Sequence, residues 1–196
     1  MRSLREALGQ YATGVAVITT ATADGRRAGV TVNSFTSVSL DPPLVLWCLS
    51  NRAPSAPLFL RAGRFAVNVL AAGQDHLSRR FATPSADKFA GVELLGAAPP
   101  VLAGTLAHFV CRTERVHDGG DHHIFVGAVE HHQRAEGEPL VFHSGRYRTF
   151  RPEPAVSGGR AAGHPAGRVS PRCEERTSGG DNRIWEGAAH ASTVGA

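Results

Sequence analysis

Apolar and β-branched residues occur along most of the chain in short runs that turn-forming residues separate. The runs are rich in valine, leucine, isoleucine or threonine, and the two longest alternate apolar with polar positions. They lie at 15–22, 28–32, 44–49, 65–70, 106–116, 124–132 and 139–142. Runs of this kind predict β-strands, and the Asp-Gly-Gly-Asp sequence between the two longest runs predicts a hairpin turn. The pattern therefore predicts six or seven strands.

Helical spacing is confined to three short segments, at 4–12, 55–60 and 73–82. Ser3 and Glu6 form a capping box at the start of the first. The segment 33–43 predicts irregular structure, and 83–100 predicts a proline-rich loop. Because the helices do not alternate regularly with the strands, a doubly wound parallel sheet is disfavoured. The expected fold class is mainly β, an antiparallel barrel with a few short helices.

The composition changes after residue 150. Residues 151–196 contain two Gly-Gly pairs, many alanines, four prolines and no sustained apolar period. Such a segment buries too little apolar surface to offset the entropy lost on ordering. We therefore predict one domain over residues 1–150 and a low-complexity, disordered tail over residues 151–196.

The overall composition excludes several classes of protein. The chain of 196 residues is 42% apolar and carries a net charge of +4, but its basic residues form no run that would indicate nucleic-acid binding. The three cysteines are far apart and odd in number, which indicates a reducing compartment. Glu6, Gln10 and Thr13 interrupt the apolar stretch that a signal peptide needs. We predict a cytoplasmic protein that does not enter a membrane.

The segment between the second and third predicted strands is the most informative for function. It places small hydrogen-bonding side chains beside the ends of hydrophobic strands, at Thr31, Asn33, Ser34, Thr36, Ser37 and Ser39. Hydroxyls and free backbone amides can bind both a polar heterocycle and a phosphate. The same residues could equally form a loop that satisfies its own backbone. The local chemistry leaves both interpretations open.

Paired histidines raise the question of a metal site. His122 and His123 form one pair, and His131 and His132 form another nine residues further on. Neighbours on a strand point to opposite faces, and nine residues of strand span roughly 30 Å. One ion cannot be bound by both pairs, so no metal site is predicted. The sequence also has no GxGxxG motif between a strand and a helix and no GxSxG motif, which disfavours a Rossmann domain and a serine hydrolase.

Seven motifs occur in the order and spacing of one known family. They are Tyr11-Ala-Thr-Gly-Val-Ala-Val-Ile-Thr, the run from Gly29-Val-Thr-Val-Asn-Ser-Phe-Thr-Ser to Leu46, Phe65-Ala-Val-Asn-Val-Leu, Leu77-Ser-Arg-Arg-Phe-Ala, Asp87-Lys-Phe-Ala-Gly, Gly120-Asp-His-His-Ile-Phe-Val-Gly, and Pro139-Leu with Gly145-Arg-Tyr. Over residues 5 to about 150 the chain resembles the flavin reductase-like proteins with an FMN-binding split barrel. These include the reductase components of two-component flavin-dependent monooxygenases.

The resemblance implies a homodimeric split barrel that uses NADH or NADPH to reduce FMN or FAD for a partner monooxygenase. It implies that the isoalloxazine and ribityl chain contact Asn33, Ser34, Phe35, Thr36, Ser37 and Ser39. It further implies that the ribityl–phosphate region contacts Ser50, Asn51, Ser55, Arg80, Phe81 and Lys88. For the nicotinamide dinucleotide it implies His122, the candidate catalytic residue, together with Arg146 and Tyr147.

Alternatives remain for the function and for single residues. Lys88 could be an ordinary solvated lysine, and Asp121-His122 could merely close a hairpin. A flavin-binding electron-transfer protein without its own NAD(P)H oxidation is the alternative function. An oxidase of the pyridoxamine-phosphate type would need a substrate-phosphate site with several basic residues, which the pair Arg79-Arg80 does not supply.

Overall fold

A computed structural model of the chain describes residues 2–85 and 87–149, so the tail predicted at 151–196 lies outside the described residues. The strands are β1 (Thr13–Gly14), β2 (Ala16–Ala21), β3 (Arg27–Val32), β4 (Thr36–Leu40), β5 (Pro43–Ser50), β6 (Arg64–Val69), β7 (Leu94–Ala97), β8 (Pro100–Leu102), β9 (Ala107–Gly119), β10 (His122–Arg134), β11 (Leu140–His143) and β12 (Arg146–Thr149). The helices are α1 (Arg2–Leu8), α2 (Ala56–Ala62) and α3 (Asp75–Ala82). None of the helices described is long and apolar enough to cross a membrane.

Seven strands form one antiparallel sheet in the order β3-β2-β6-β9-β10-β5-β4. Only residues 33–35 join β3 to β4, the two edges of this sheet, so the sheet curls until its edges approach each other. The main-chain N–H of Cys48 in β5 donates to Ser34 Oγ at 3.0 Å and links the connection to the sheet. Two smaller sheets, β1-β11-β12 and β7-β8, complete the fold. The prediction of a mainly β, antiparallel barrel with few helices is confirmed.

The sequence pattern misses five strands, β1, β4, β7, β8 and β12, so the predicted count of six or seven is wrong. Each of the five pairs with a single neighbour and is only two to five residues long. Such strands are too short to display a clear alternation, and their pairing depends on the neighbour rather than on their own residues. The first helix also differs, since it ends at Leu8 instead of residue 12.

Aromatic side chains fill the interior of the seven-stranded sheet. Trp47 of β5 stacks on Phe125 of β10 with 4.5 Å between centroids, and it meets Phe59 and Phe65 edge-on. All four rings are buried. Because side chains alternate along a strand, the positions next to Trp47 and Phe125 face the outside of the barrel. The core thus decides which residues of β5 and β10 are available on the outer face.

A second cluster lies beneath α3. Phe81 of this helix packs edge-on against Phe89, with 5.1 Å between ring centroids. The Phe81 ring also covers Gly29 of β3, where a Cβ atom would lie 2.5 Å from the ring. Glycine at position 29 therefore lets the helix approach the sheet closely.

Asn68 of β6 joins three strands inside this fold. Its amide donates to the carbonyl of Val17 (2.9 Å) and to Thr19 Oγ1 (3.1 Å). Its amide oxygen accepts the main-chain N–H of Leu102 in β8 at 2.8 Å. The side chain is fully buried, and buried polar groups are stable only when they are hydrogen-bonded in this way.

Candidate functional site

Four of the predicted site residues meet where β5 ends. Ser50, the last residue of β5, pairs with His122, the first residue of β10. Asn51 follows directly, and Ser34 reaches the same end of β5 through its hydrogen bond with Cys48. The curled sheet thus brings residues 34, 50, 51 and 122 to one rim of the barrel.

Asn51 is hydrogen-bonded to the turn between β9 and β10. Its main-chain N–H donates to the carbonyl of Asp121, and its side-chain Nδ2 donates to the carbonyl of Gly120, both at 3.0 Å. The contact predicted for Asn51 was with the ribityl–phosphate region of a flavin. The structure shows that this side chain already uses one of its donors to hold the hairpin turn that precedes His122.

His122 is fixed by its neighbour Asp121. The Nδ1 atom of His122 lies 2.6 Å from Asp121 Oδ1. The imidazole is only 17% exposed, whereas the Asp121 side chain is 94% exposed. The hydrogen bond from His122, followed by its Coulombic attraction, lowers the pKa of the Asp121 carboxyl. A carboxylate can only accept hydrogen bonds, so this contact requires a proton on Nδ1, and Nε2 makes no hydrogen bond to the residues that the structure describes.

The edge strand β4 supplies further polar groups along the first half of β5, where Thr36 pairs with Leu46 and Ser39 with Leu44. β4 pairs with β5 alone, so the main-chain groups on its other side have no strand partner in the seven-stranded sheet. Thr36 is exposed, Ser37 and Ser39 are half-buried, and a bulge separates these two serines. Asn33, also half-buried, precedes the strand. Alternating donors and acceptors on a sheet edge suit a planar polar ring.

Phe35 and Ser55 are only partly committed to the fold. The Phe35 ring is half-buried and lies 5.6 Å from the ring of Phe109, so one side of it packs against the core. Ser55 precedes α2, where its carbonyl accepts the N–H of Leu58 at 3.0 Å. Its hydroxyl makes no capping hydrogen bond to the helix. Both side chains are partly exposed, so each has surface that a ligand can contact.

The three residues predicted on the phosphate side lie at the end of α3. Phe81 is fully buried in the second cluster, so its ring has no surface to offer a ligand in this structure, and its side chain is a core residue. Arg80 is half-buried, and its Nη2 donates to the carbonyl of Ala90 at 2.5 Å. The structure therefore gives the Phe81 side chain a packing role and leaves the Arg80 side chain partly exposed.

Lys88 makes two hydrogen bonds to main-chain carbonyls. Its Nζ donates to Phe81 at 2.7 Å, in the last turn of α3, and to Gly29 of β3 at 3.2 Å. The last carbonyls of a helix have no partner within the helix, so an ammonium group there is favourable. Burial lowers the pKa of Lys88. The interpretation of Lys88 as a solvated surface lysine is therefore wrong; the side chain joins helix to sheet.

Tyr147 lies on the other side of α3. Its hydroxyl is 2.8 Å from Ser78 Oγ, and the Arg79 guanidinium lies 5.1 Å from its ring centroid. The ring also helps to line a concavity of about 340 Å³, together with Asp75, Arg148 and others. Within residues 2–85 and 87–149, no hydrogen bond, ion pair or ring contact joins Tyr147 to His122. Arg146, next to it, is exposed.

Comparison with known proteins identifies the family. The model of the flavin reductase-like domain matches residues 8–151. The chain belongs to this family. The family assignment agrees with the chemistry of these residues, since the hydroxyls and the imidazole at the rim and the free edge of β4 fit a polar heterocycle.

Members of the flavin reductase-like family similar to this chain include proteins with assigned activities. It is 47% identical over 151 residues to the FMN reductase (NADH) SmoA of Agrobacterium fabrum, covering 76% of this chain and 86% of that protein. It is 42% identical to HsaB of Rhodococcus jostii, a reductase subunit of a flavin-dependent monooxygenase, covering 79% and 80%. The NADH:FAD oxidoreductase SgcE6 of Streptomyces globisporus, solved with NAD and FAD fragments, superposes with a TM-score of 0.74 at 42% identity, covering 78% and 93%.

Two residues that contact predicted site residues, Asp121 and Ser78, were not themselves predicted from the sequence. Asp121 stands in the sequence as a turn residue within one of the seven motifs, but its hydrogen bond to His122 depends on side-chain placement. Ser78 is polar but fully buried, and its hydroxyl is hydrogen-bonded to the hydroxyl of Tyr147. The main-chain carbonyl of Ser78 accepts a hydrogen bond from the Thr31 hydroxyl at 2.6 Å. The sequence does place Ser78 next to Leu77 on the apolar face of α3, and a polar residue at such a position indicates a buried hydrogen bond.

Proposed function

We propose that this chain is an NADH-dependent flavin reductase that reduces FMN or FAD for use by a separate flavin-dependent monooxygenase. The observation that carries the proposal is the 42–47% identity to proteins named as NADH-dependent FMN and FAD reductases and as a monooxygenase reductase subunit. That identity covers three quarters or more of the chain. It includes Ser50 and His122 at the end of β5 as well as the serine and threonine side chains of β4.

The chain's own residues bind and orient in this proposal. Hydride transfer from nicotinamide to flavin is the chemistry that the two bound groups supply. The free edge of β4, with Thr36, Ser37 and Ser39, binds the flavin ring, and Arg80 contributes charge toward a phosphate. His122 presents Nε2 to the nicotinamide. Holding two reactants in register accounts for a large part of the rate of such a bimolecular step.

Oxidation of NADH at 340 nm, with and without added FMN or FAD, tests the activity directly. We expect turnover that requires a flavin. No turnover with NADH or NADPH, despite flavin binding, would contradict the reductase and favour an electron-transfer protein. His122→Ala should slow flavin reduction with flavin affinity changed by less than a few-fold. His123→Ala is the matched control, because its side chain points to the opposite face of the same strand.

Use of the product by a monooxygenase is the second part of the proposal. HsaB is a similar protein named as the reductase subunit of a flavin-dependent monooxygenase, and BorF is a similar protein named as the flavin reductase component of a two-component tryptophan halogenase. We expect the purified chain to support hydroxylation by a flavin-dependent monooxygenase that lacks its own reductase. A monooxygenase that works with chemically reduced flavin but not with this chain and NADH would contradict this part.

We also propose that the functional unit is a homodimer. The outer face of β5 and β10 carries six apolar, half-buried side chains in paired register, at Leu44, Leu46, Cys48, Ile124, Val126 and Ala128. The adjoining edge strand β4 adds Val38 and Leu40, which are 49% and 64% exposed. An apolar sheet face of this width marks an interface, and a second copy offers a face of the same shape and chemistry.

Light scattering during size-exclusion chromatography tests the homodimer. Leu46→Lys places a charge in the centre of the outer face and should give a monomer. Leu95→Lys is the matched control, since Leu95 is 63% exposed on β7, away from this face. A wild-type chain that elutes as a monomer, or a Leu46→Lys dimer as stable as the wild type, would contradict the proposed interface.

A further inference from the structure

The turn between β9 and β10 consists of only two residues, Gly120 and Asp121. Gly120 has a φ of +76°, a conformation that glycine adopts without strain, and Asp121 does not have a positive φ. The turn is bound from outside its own hairpin by both hydrogen bonds of Asn51. The backbone that carries Asp121 is therefore held by β5 as well as by β9 and β10.

The main chain of His122 is fixed by strand pairing, whereas its ring is held by a side chain alone. His122 pairs with Gly119 on one side and with Ser50 on the other, so its Cα cannot shift independently. Rotation of the imidazole is restrained instead by the 2.6 Å bond from Nδ1 to Asp121. This is the one side-chain hydrogen bond of the ring in the part of the chain that the structure describes. Without it, the ring could turn and either nitrogen could carry the proton.

We propose that Asp121 and Asn51 are positioning residues that act through His122. Asp121 holds the proton of the neutral imidazole on Nδ1, which leaves Nε2 as a hydrogen-bond acceptor toward the bound dinucleotide. Asn51 fixes the turn from which Asp121 reaches the ring. This inference rests on the proposed function, in which His122 contacts the nicotinamide, and it assigns Asn51 to the hairpin rather than to the flavin.

The first experiment measures the tautomer of His122 by nitrogen-15 NMR in the full chain without NADH. At about pH 8.5, roughly two units above the pKa of histidine in a model peptide, the ring is neutral and its nitrogen signals distinguish Nδ1–H from Nε2–H. The His122 signals are those missing from His122→Ala. We expect mostly Nδ1–H in the wild type and a clear shift toward Nε2–H in Asp121→Ala. The same tautomer ratio in both proteins would overturn the role of Asp121.

Asp118→Ala is a matched control for Asp121→Ala. Asp118 lies on the other strand of the same hairpin, its side chain is 99% exposed, and its carboxylate faces His123 Nδ1 at 3.8 Å. Both variants remove one negative charge from one hairpin. Only Asp121→Ala removes the acceptor that holds His122, so Asp118→Ala should leave the His122 tautomer unchanged.

The second experiment measures reduction of bound flavin by NADH in single-turnover stopped flow. Asp121→Ala should slow the step about tenfold, the lower range for loss of one charge-assisted hydrogen bond, because Asp121 is exposed to solvent. Flavin affinity should change by less than threefold. Equal rates for Asp121→Ala and Asp118→Ala would overturn the inference, whereas failure of the wild type to oxidise NADH would refute the proposed function itself.

Asn51→Ala tests the outer part of the arrangement. We expect slower flavin reduction with flavin affinity again within threefold, and a double variant with Asp121→Ala that is no slower than Asp121→Ala alone. Such non-additivity is expected when two residues act through one group. A flavin dissociation constant raised tenfold or more in Asn51→Ala, or fully additive rate losses, would overturn the role of Asn51.

Discussion

Lys88 gives the sharpest test of whether a predicted binding residue has a structural role instead. The sequence resemblance places it beside the flavin phosphate, but its Nζ donates to the carbonyls of Phe81 and Gly29. Lys88→Met keeps most of the aliphatic length and removes both hydrogen bonds. A hydrogen bond to a charged group is worth about 1.5–3 kcal/mol, and the desolvation of the ammonium offsets part of the two. We therefore expect a loss of about 2 kcal/mol in the free energy of unfolding.

Urea unfolding and flavin titration together separate the two roles. The midpoint should fall in Lys88→Met with an unchanged slope, and the dissociation constants of FMN and riboflavin should both stay within threefold. Arg80→Met is the matched control for stability, because it removes the same charge from the same end of α3 but breaks a single bond, to Ala90. It should weaken the binding of FMN and not of riboflavin, since the proposed role of Arg80 is at the phosphate. A tenfold weaker binding of FMN by Lys88→Met, with riboflavin unaffected, would refute the structural role and restore the phosphate contact.

The pH dependence of stability checks the same reasoning. Burial lowers the pKa of Lys88 below its usual 10.5. Just below pH 10.5 the unfolded chain therefore binds more protons than the folded chain, so the free energy of unfolding rises with pH in that window. Lys88→Met should lack this rise. A difference between the two proteins that does not change from pH 8 to about 10.5 would contradict the burial of the ammonium.

Three further predictions concern the core. Asn68→Leu should lower the free energy of unfolding by about 2–4 kcal/mol in urea, because it leaves the N–H of Leu102 without its partner. Gly127→Ala should cost about 2–3 kcal/mol in the same assay, since the new Cβ would lie 2.3 Å from the Phe65 ring. The Cys111 thiol, whose pKa burial raises to about 12, should resist labelling at neutral pH until the protein unfolds, as read by peptide mass mapping.

Each of these predictions has a control within the chain. Thr20→Val removes one buried hydrogen bond, to Arg64, and should cost only about 1 kcal/mol. Gly14→Ala should be tolerated, because no atom lies within 4 Å of the added Cβ. Cys48, half-buried in the single chain and part of the proposed dimer face, should be labelled faster than Cys111 in the monomeric Leu46→Lys variant. Asn68→Leu within 0.5 kcal/mol of the wild type, on the order of a surface substitution, would mean that water replaces the lost bonds.

The sequence by itself determined the features that depend on local pattern. Strands such as β5, β6 and β10 are buried on at least one face, so each needs a run of apolar residues that is visible without a structure. Motif order identified the family, because seven motifs in sequence are specific even where each alone is common. The resemblance also named His122 and the polar residues near β4.

Only the tertiary structure decided what these side chains do. Phe81, Lys88 and Asn51 were predicted at the flavin. In the structure, the Phe81 ring and the Lys88 ammonium both contact Gly29, and the Asn51 amide donates to Gly120. Each of these partners lies more than 50 residues away in the sequence. The bond between Asp121 and His122 joins neighbours in sequence but needs the two-residue turn to form. Hydrogen-bond partners are chosen by position in space, and that position follows from packing of the whole barrel. For this reason residue types predict a binding rim, whereas the division between binding and structural residues required the fold.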